Sequence, residues 1–225
     1  MFRVGTAFFI TLAAYGAVAP EVTVPLGTEY IFLVVKETLI GLMMGFFVML
    51  FISALQVAGQ FIDVQMGFGL ANVVDPQTGT QVPIMGFFKY YLGMLIFLSL
   101  DIHHYIIHAY VDSFQQIPIG NLYLSGSGRF AEFAVTAFSG MFVLALKIAA
   151  PVVFCLLLTT VALGITARTV PQMNVFVVGM PLKIALGFLV TYLSLPTFLF
   201  VLDALFTEMV ESIYIMVNLI ANSTP

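Results

Sequence analysis

An all-α membrane protein is the fold class this sequence predicts, and three observations predict it. Of its 225 residues, 61% are hydrophobic and only 8% are charged. A soluble domain carries roughly 25% charged residues, so there is too little charge here to cover a wet surface. The apolar residues also come in long runs, roughly 4–19, 31–58, 84–111, 133–167, 174–202 and 204–220, where a span needs about 20 apolar residues. Finally, the runs lack the alternation of an outer-membrane barrel strand, and backbone in lipid must then satisfy its own hydrogen bonds in helices.

Taken in order, Arg3 precedes the first run, which ends Ala17-Val18-Ala19 in the manner of a signal-peptide cleavage site. Pro20 directly after the cut, and equally apolar sequence downstream, favour a helix of the mature protein instead. Lys36 and Glu37 lie in the second run. Neighbours in sequence do not face each other on a helix, so each is expected to mark a helix end or to find a partner on another segment. Leu39 to Ala58 is free of charge.

A polar island follows, GQFIDVQMGFGLANVVDPQTGTQVP, residues 59–83. Gly67-Phe68-Gly69 is not a dinucleotide loop, because Asn72 stands where the third glycine would be and no strand precedes it. Asp75-Pro76 and Gly79 are turn chemistry. A solvent-exposed loop is one reading. The other is irregular backbone buried in protein or lining a cavity, since Phe61, Ile62, Val64, Met66, Phe68, Leu70, Val73 and Val74 crowd the same stretch.

The third run contains Lys89 and leads into DIHHYIIHAYVDSF. Asp101, His104 and His108 share a helical face at i, i+3 and i+7. That spacing suits a metal ligand pair with a carboxylate or a proton relay. The approach to Gln115, Gln116, Pro118 and Gly120 favours hydrogen bonding at an interfacial helix end, where His and Tyr sit comfortably.

The remaining runs are too long for simple spans. As single helices, 131–167 extends about 55 Å and 174–221 about 70 Å, with Pro151 and Pro196 expected to kink or break them. Arg168 and Lys183 flank the turn-rich ARTVPQMNVFVVGMPLK, whose positive charge puts that tip in the cytoplasm. Asp203, Glu208 and Glu211 then run toward the other side. Lys89 and Lys147 are expected to snorkel to an interface, and the twelve methionines to serve as adaptable packing. Cys155, alone, excludes an internal disulfide and reads as a small core residue.

Several function classes drop out. A net charge of -4 with no basic stripe leaves no nucleic-acid interface. No phosphate-binding loop, serine elbow or carboxylate pair is present, so no enzyme activity and no cofactor are expected. A small secondary transporter stays as the alternative, although it needs internal repeats and midplane charge pairs that the chain lacks. A membrane metalloenzyme on His103, His104 and His108 is a weaker one.

The residues QVAGQFIDVQMGFGLANVVDPQTG, PIMGFFKYYLGMLIFLSLDIHHYIIHAYVDSFQQIPIG and ARTVPQMNVFVVGMPLKI resemble the FliR family of type III export-gate proteins over nearly the whole chain. The resemblance rests on Gly59, Gln60, Gln65, Met66, Gly67, Asp75, Pro76, His103, His104, Asp112, Ser113, Phe114, Pro118 and Gly120. In the last stretch it rests on Arg168, Pro171, Gln172, Asn174, Gly179 and Pro181. Three places depart from the pattern: Gln60 where an acidic residue is common, Asp101-Ile102 where a small Asn-Gly-like pair is usual, and His108 where a basic residue is frequent. Family members also carry a further apolar segment ahead of the first one here, so the chain is expected to start at their second.

The resemblance implies a subunit of the flagellar export gate in the bacterial inner membrane, at the basal body. P-type and Q-type subunits, the B-type switch protein and the A-type export protein would be its partners, with unfolded proteins as substrates and lipid around it. A P-like part, 1–129, is then followed by a Q-like hairpin, 130–225, assembled into a helical gate partly lifted out of the bilayer. Residues 66–82 become a pore plug, with Met66, Gly67, Phe68, Gly69, Leu70, Val73, Asp75 and Pro76 as its key positions. Gln60, His103, His104, Ser113, Phe114, Pro118 and Gly120 become structural or intersubunit residues. Arg168, Pro171, Gln172, Asn174, Gly179, Pro181 and Lys183 form the cytoplasmic tip.

Overall fold

The computed structural model describes residues 2–15, 27–68, 83–117, 127–170, 172 and 174–221, and among these every regular element is a helix. In chain order they are α1 (Phe2–Tyr15), α2 (Thr28–Met66), α3 (Ile84–Ser99), α4 (Ile102–Gln116), α5 (Ser127–Thr169), α6 (Val175–Leu193) and α7 (Leu195–Ala221). The all-α expectation therefore holds. Three helices are long and apolar enough to cross a membrane, over Tyr30–Met66, Arg129–Thr169 and Val175–Leu193. The pair α3 and α4 adds a fourth if it forms one broken span.

The helix ends differ from the sequence reading in instructive places. The polar residues 59–66 extend α2 rather than end it, because Ala58, Ile62 and Met66 continue a buried stripe at helical spacing. Burial of that stripe outweighs the modest propensity cost of Gly59. Pro151 does not interrupt α5, which runs 43 residues. Pro196 does coincide with a break. Ser194 ends α6, its N–H donating to the Val190 carbonyl at 2.8 Å, and Pro196 falls in the first turn of α7, where a missing N–H costs nothing. The run 84–111, read as one segment, is two helices. The break falls at Leu100–Asp101, where Asp101 adopts a left-handed φ of 55°, a region that Asn and Asp enter more readily than other side chains.

The chain forms two compact units, each assembled from separate stretches. The first comprises Met1–Leu50, Phe97–Phe138 and Phe206–Pro225. Its core takes Ile40, Met44 and Phe47 from α2, Ala109 from α4, and Met209, Ile213 and Met216 from α7. Ring pairs reinforce it, Phe47 with Phe133 at 5.1 Å and Phe97 with Phe206 at 5.5 Å. The Tyr214 hydroxyl donates to the Asp112 carboxylate at 3.2 Å and ties α7 to α4. The second unit comprises Phe51–Ile96 and Ser139–Leu205. There Phe51, Leu55, Ala58 and Ile62 of α2 are buried with Met85 of α3, Leu144, Ile148, Val152 and Leu156 of α5, and Phe198 and Leu202 of α7.

Outward faces stay apolar. Met49, Val64, Phe154, Ile165, Phe176 and Phe200 are among the large hydrophobic side chains left exposed. Faces this apolar call for lipid or protein partners rather than water.

Candidate functional site

The second unit holds the foot of the polar island, and three contacts build it. Asp63, on the last two turns of α2, is buried, and its carboxylate reaches the start of α3. Oδ1 accepts from the Met85 N–H at 2.9 Å and Oδ2 from the Gly86 N–H at 3.2 Å. These belong to the first turn of α3, whose amides have no partner within the helix, and a carboxylate there also meets the positive end of the helix dipole. Each oxygen is matched to one donor, so the group is hydrogen-bonded twice although it is out of water.

The second contact is steric. A Cβ placed on Gly59 would land on the backbone of Gly86, and one on Gly86 would lie 3.0 Å from the Pro83 ring. Glycine at both positions lets α2 and α3 cross at backbone distance, which sets the reach from Asp63 to the amides. The third contact is with α6. Met66 is fully buried, and a Cβ at Gly187 would sit 2.8 Å from its Cγ, Sδ and Cε. Met66 thus anchors the end of α2 rather than leaving it. Gly67 then turns the chain with φ 88°, open to glycine at little cost, and its N–H donates to the Asp63 carbonyl at 3.1 Å. Phe68 is half-buried.

The two ends of residues 67–83 are therefore pinned beside each other. Gly69, Leu70, Val73, Asp75 and Pro76 lie outside the described residues, as do Pro118, Gly120 and Pro171.

Lys89, expected to snorkel, is instead fully buried in this unit. Its Nζ lies 4.1 Å from the centre of the Phe198 ring and has no hydrogen-bond partner. A cation over a ring face is attracted to it, by about 2 kcal/mol when desolvated. Thr191 Oγ1, also in this unit, is buried without a partner.

The other expected residues fall in two places. In the first unit, Ser113 is buried and donates to the Tyr110 carbonyl at 2.7 Å, while Phe114 meets Tyr110 edge to face at 5.2 Å. His103 is half-buried and His104 exposed, their ring centres 4.1 Å apart. Lys36 and Glu37, expected to look away from each other, meet at 3.7 Å. In the second unit, the tip between α5 and α6 is exposed at Arg168, Gln172, Asn174 and Pro181, and Lys183 is half-buried. Asn174 caps α6, Oδ1 accepting from Phe176 N–H at 3.1 Å and Val177 N–H at 3.3 Å. Gly179 is buried with Leu163 of α5 at 3.0 Å from where a Cβ would be, so it sets how closely the hairpin arms approach. Gln60 is exposed on α2, apart from the Asp63 contacts beside it.

Sequence reasoning passed over Asp63. The signal was there: an ionisable residue inside an apolar helix is a functional candidate by default.

Comparison with known proteins places the chain among related sequences. Residues 1–209 match the family described as bacterial export proteins, family 1. The flagellar biosynthetic protein FliR of Bacillus subtilis (strain 168) is 41% identical over 97% of this chain and 84% of its own. The Escherichia coli (strain K12) protein of that name is 32% identical over 92% of this chain and 78% of its own. That of Aquifex aeolicus (strain VF5) is 34% identical over 75% and 64%.

Proposed function

The chain belongs to the FliR family of bacterial export proteins, and from that premise we propose that it is a non-enzymatic subunit of the flagellar protein-export gate. It sits in the bacterial inner membrane with P-type and Q-type companions and passes unfolded flagellar proteins through a shared pore. Membership over 97% of the chain carries the reading, and the exposed apolar faces agree with it. The transporter alternative gains no support.

Residues 66–82, the plug that the resemblance implies, keep that role in this reading from Gly67 onward, with Met66 anchoring the foot. Supporting it is the pinned foot: Asp63, Gly59 and Gly86 hold both ends of the segment at one place, so the segment starts and ends at a firm base. Phe68, Leu70 and Val73 would exclude ions by excluding water, and the glycines would let the loop change shape. The base stays fixed while the loop is displaced. Closed and open forms then differ by only a few kcal/mol. The tip around Arg168 and Lys183 faces the cytoplasm and meets the switch and export proteins there.

The test removes residues 67–74, leaving Asp63 and Met85 in place, with the P-type and Q-type companions co-expressed. Raised ion leak across the inner membrane with the complex still assembled is expected. A tight membrane with assembly intact would remove the plug assignment.

A further inference from the structure

At the break between α3 and α4, Asp101, His103 and His104 each bring one ligand atom within 4.8 Å of the others. Asp101 stands at the N-cap of α4, where Asp ordinarily accepts from the N2 or N3 amide. Here it makes no such bond, and its left-handed backbone turns the carboxylate elsewhere. Oδ1 lies 3.6 Å from His104 Nδ1. His103 Nδ1 is buried with no hydrogen-bond partner, so one imidazole nitrogen on this turn is left without a donor or an acceptor.

We propose that Asp101, His103 and His104 form a divalent-metal site that takes Zn2+. Two imidazoles and a carboxylate are a donor set that suits zinc. Bonds of about 2.0–2.1 Å put tetrahedral ligand atoms roughly 3.3 Å apart, close to the Asp101–His104 separation, and the 4.8 Å spread closes by side-chain rotation. Asp101 and His104 are more than half exposed, so rotation is free and water completes the shell. The positive end of α4 opposes a cation here. The Asp101 charge offsets it. His108, one turn along, does not join the cluster.

The site is independent of the export reading. Untagged full-length chain, purified in detergent, is dialysed against Zn2+, and against Co2+ for its visible absorption. One metal per chain and a tetrahedral cobalt spectrum are expected. D101N and H104Q, both at exposed positions, each weaken uptake at least tenfold while helical circular dichroism is unchanged. H108Q leaves uptake as it is. Sub-stoichiometric uptake overturns the proposal, and so does an equal loss in H108Q, which would mean binding to exposed imidazoles only.

Discussion

Asp63→Asn is the substitution that most directly tests the pinned foot. The carboxylate uses one oxygen for the Met85 N–H and the other for the Gly86 N–H. An amide of the same shape keeps one acceptor and turns an N–H2 toward the other donor. One charge-assisted bond is lost outright and the other weakens, where a hydrogen bond to a charged group contributes about 1.5–3 kcal/mol. The variant no longer buries a charge, so the lower half of that range is expected for the whole protein. Locally the full loss is felt, because the Gly86 amide has no other partner to take. Since 1.4 kcal/mol is a factor of ten, hydrogen exchange at 85–86 should quicken about 10- to 150-fold. Exchange in the middle of α5 should quicken less, by no more than the loss of global stability. Hydrogen–deuterium exchange with mass spectrometry on the detergent-solubilised protein reads both. Unchanged protection across 83–90 would refute the clamp, and equal quickening throughout would mean that the effect is global unfolding.

Three further outcomes are expected. Gly59→Ala drives a methyl into backbone and should cost about 1–3 kcal/mol, while Gly187→Ala meets only the flexible end of Met66 and should cost less; melting curves in which Gly187→Ala is the worse of the two would contradict the crossing described here. Asn174→Ala removes the cap of α6 and should lower stability by about 1 kcal/mol with assembly retained, readable as earlier proteolysis near the tip. Lys89→Met keeps the buried stem and removes an ammonium with no hydrogen-bond partner, so its melting temperature should equal or exceed that of the parent, as for other buried charges replaced by apolar groups; a drop of more than about 5 °C, on the order of 2 kcal/mol for a chain of this size, would show that the ammonium is paired in the intact protein.

What was legible in the sequence followed from local pattern. Apolar runs, the break near Pro196 and the turn-rich stretch between Arg168 and Lys183 each depend on residues close to one another in sequence. Burial stripes such as Phe51, Ala58, Ile62 and Met66 could also be placed from 3- and 4-residue spacing, and they are why α2 continues past Gly59. The foot of the 67–83 segment was not legible, because its parts answer to groups from 22 residues away, as in Asp63–Met85, to 121 away, as in Met66–Gly187. Asp63 acts on the amides of Met85 and Gly86, and Gly59 is required only because Gly86 crosses it. Lys89 shows the same limit from the other side. Snorkelling depends on which face of α3 turns outward, and periodicity in a helix apolar all round does not say.

Both buried charges bear on the first two turns of α3, the carboxylate at its amide end and the ammonium within it. The Lys89 ammonium has no hydrogen-bond partner, so the hold on this helix end comes from the carboxylate. A helix end whose first-turn amides at Met85 and Gly86 are both taken by one buried carboxylate is fixed at that point. That is the property a fixed foot requires if the plug proposed for residues 66–82 is to move while the foot does not.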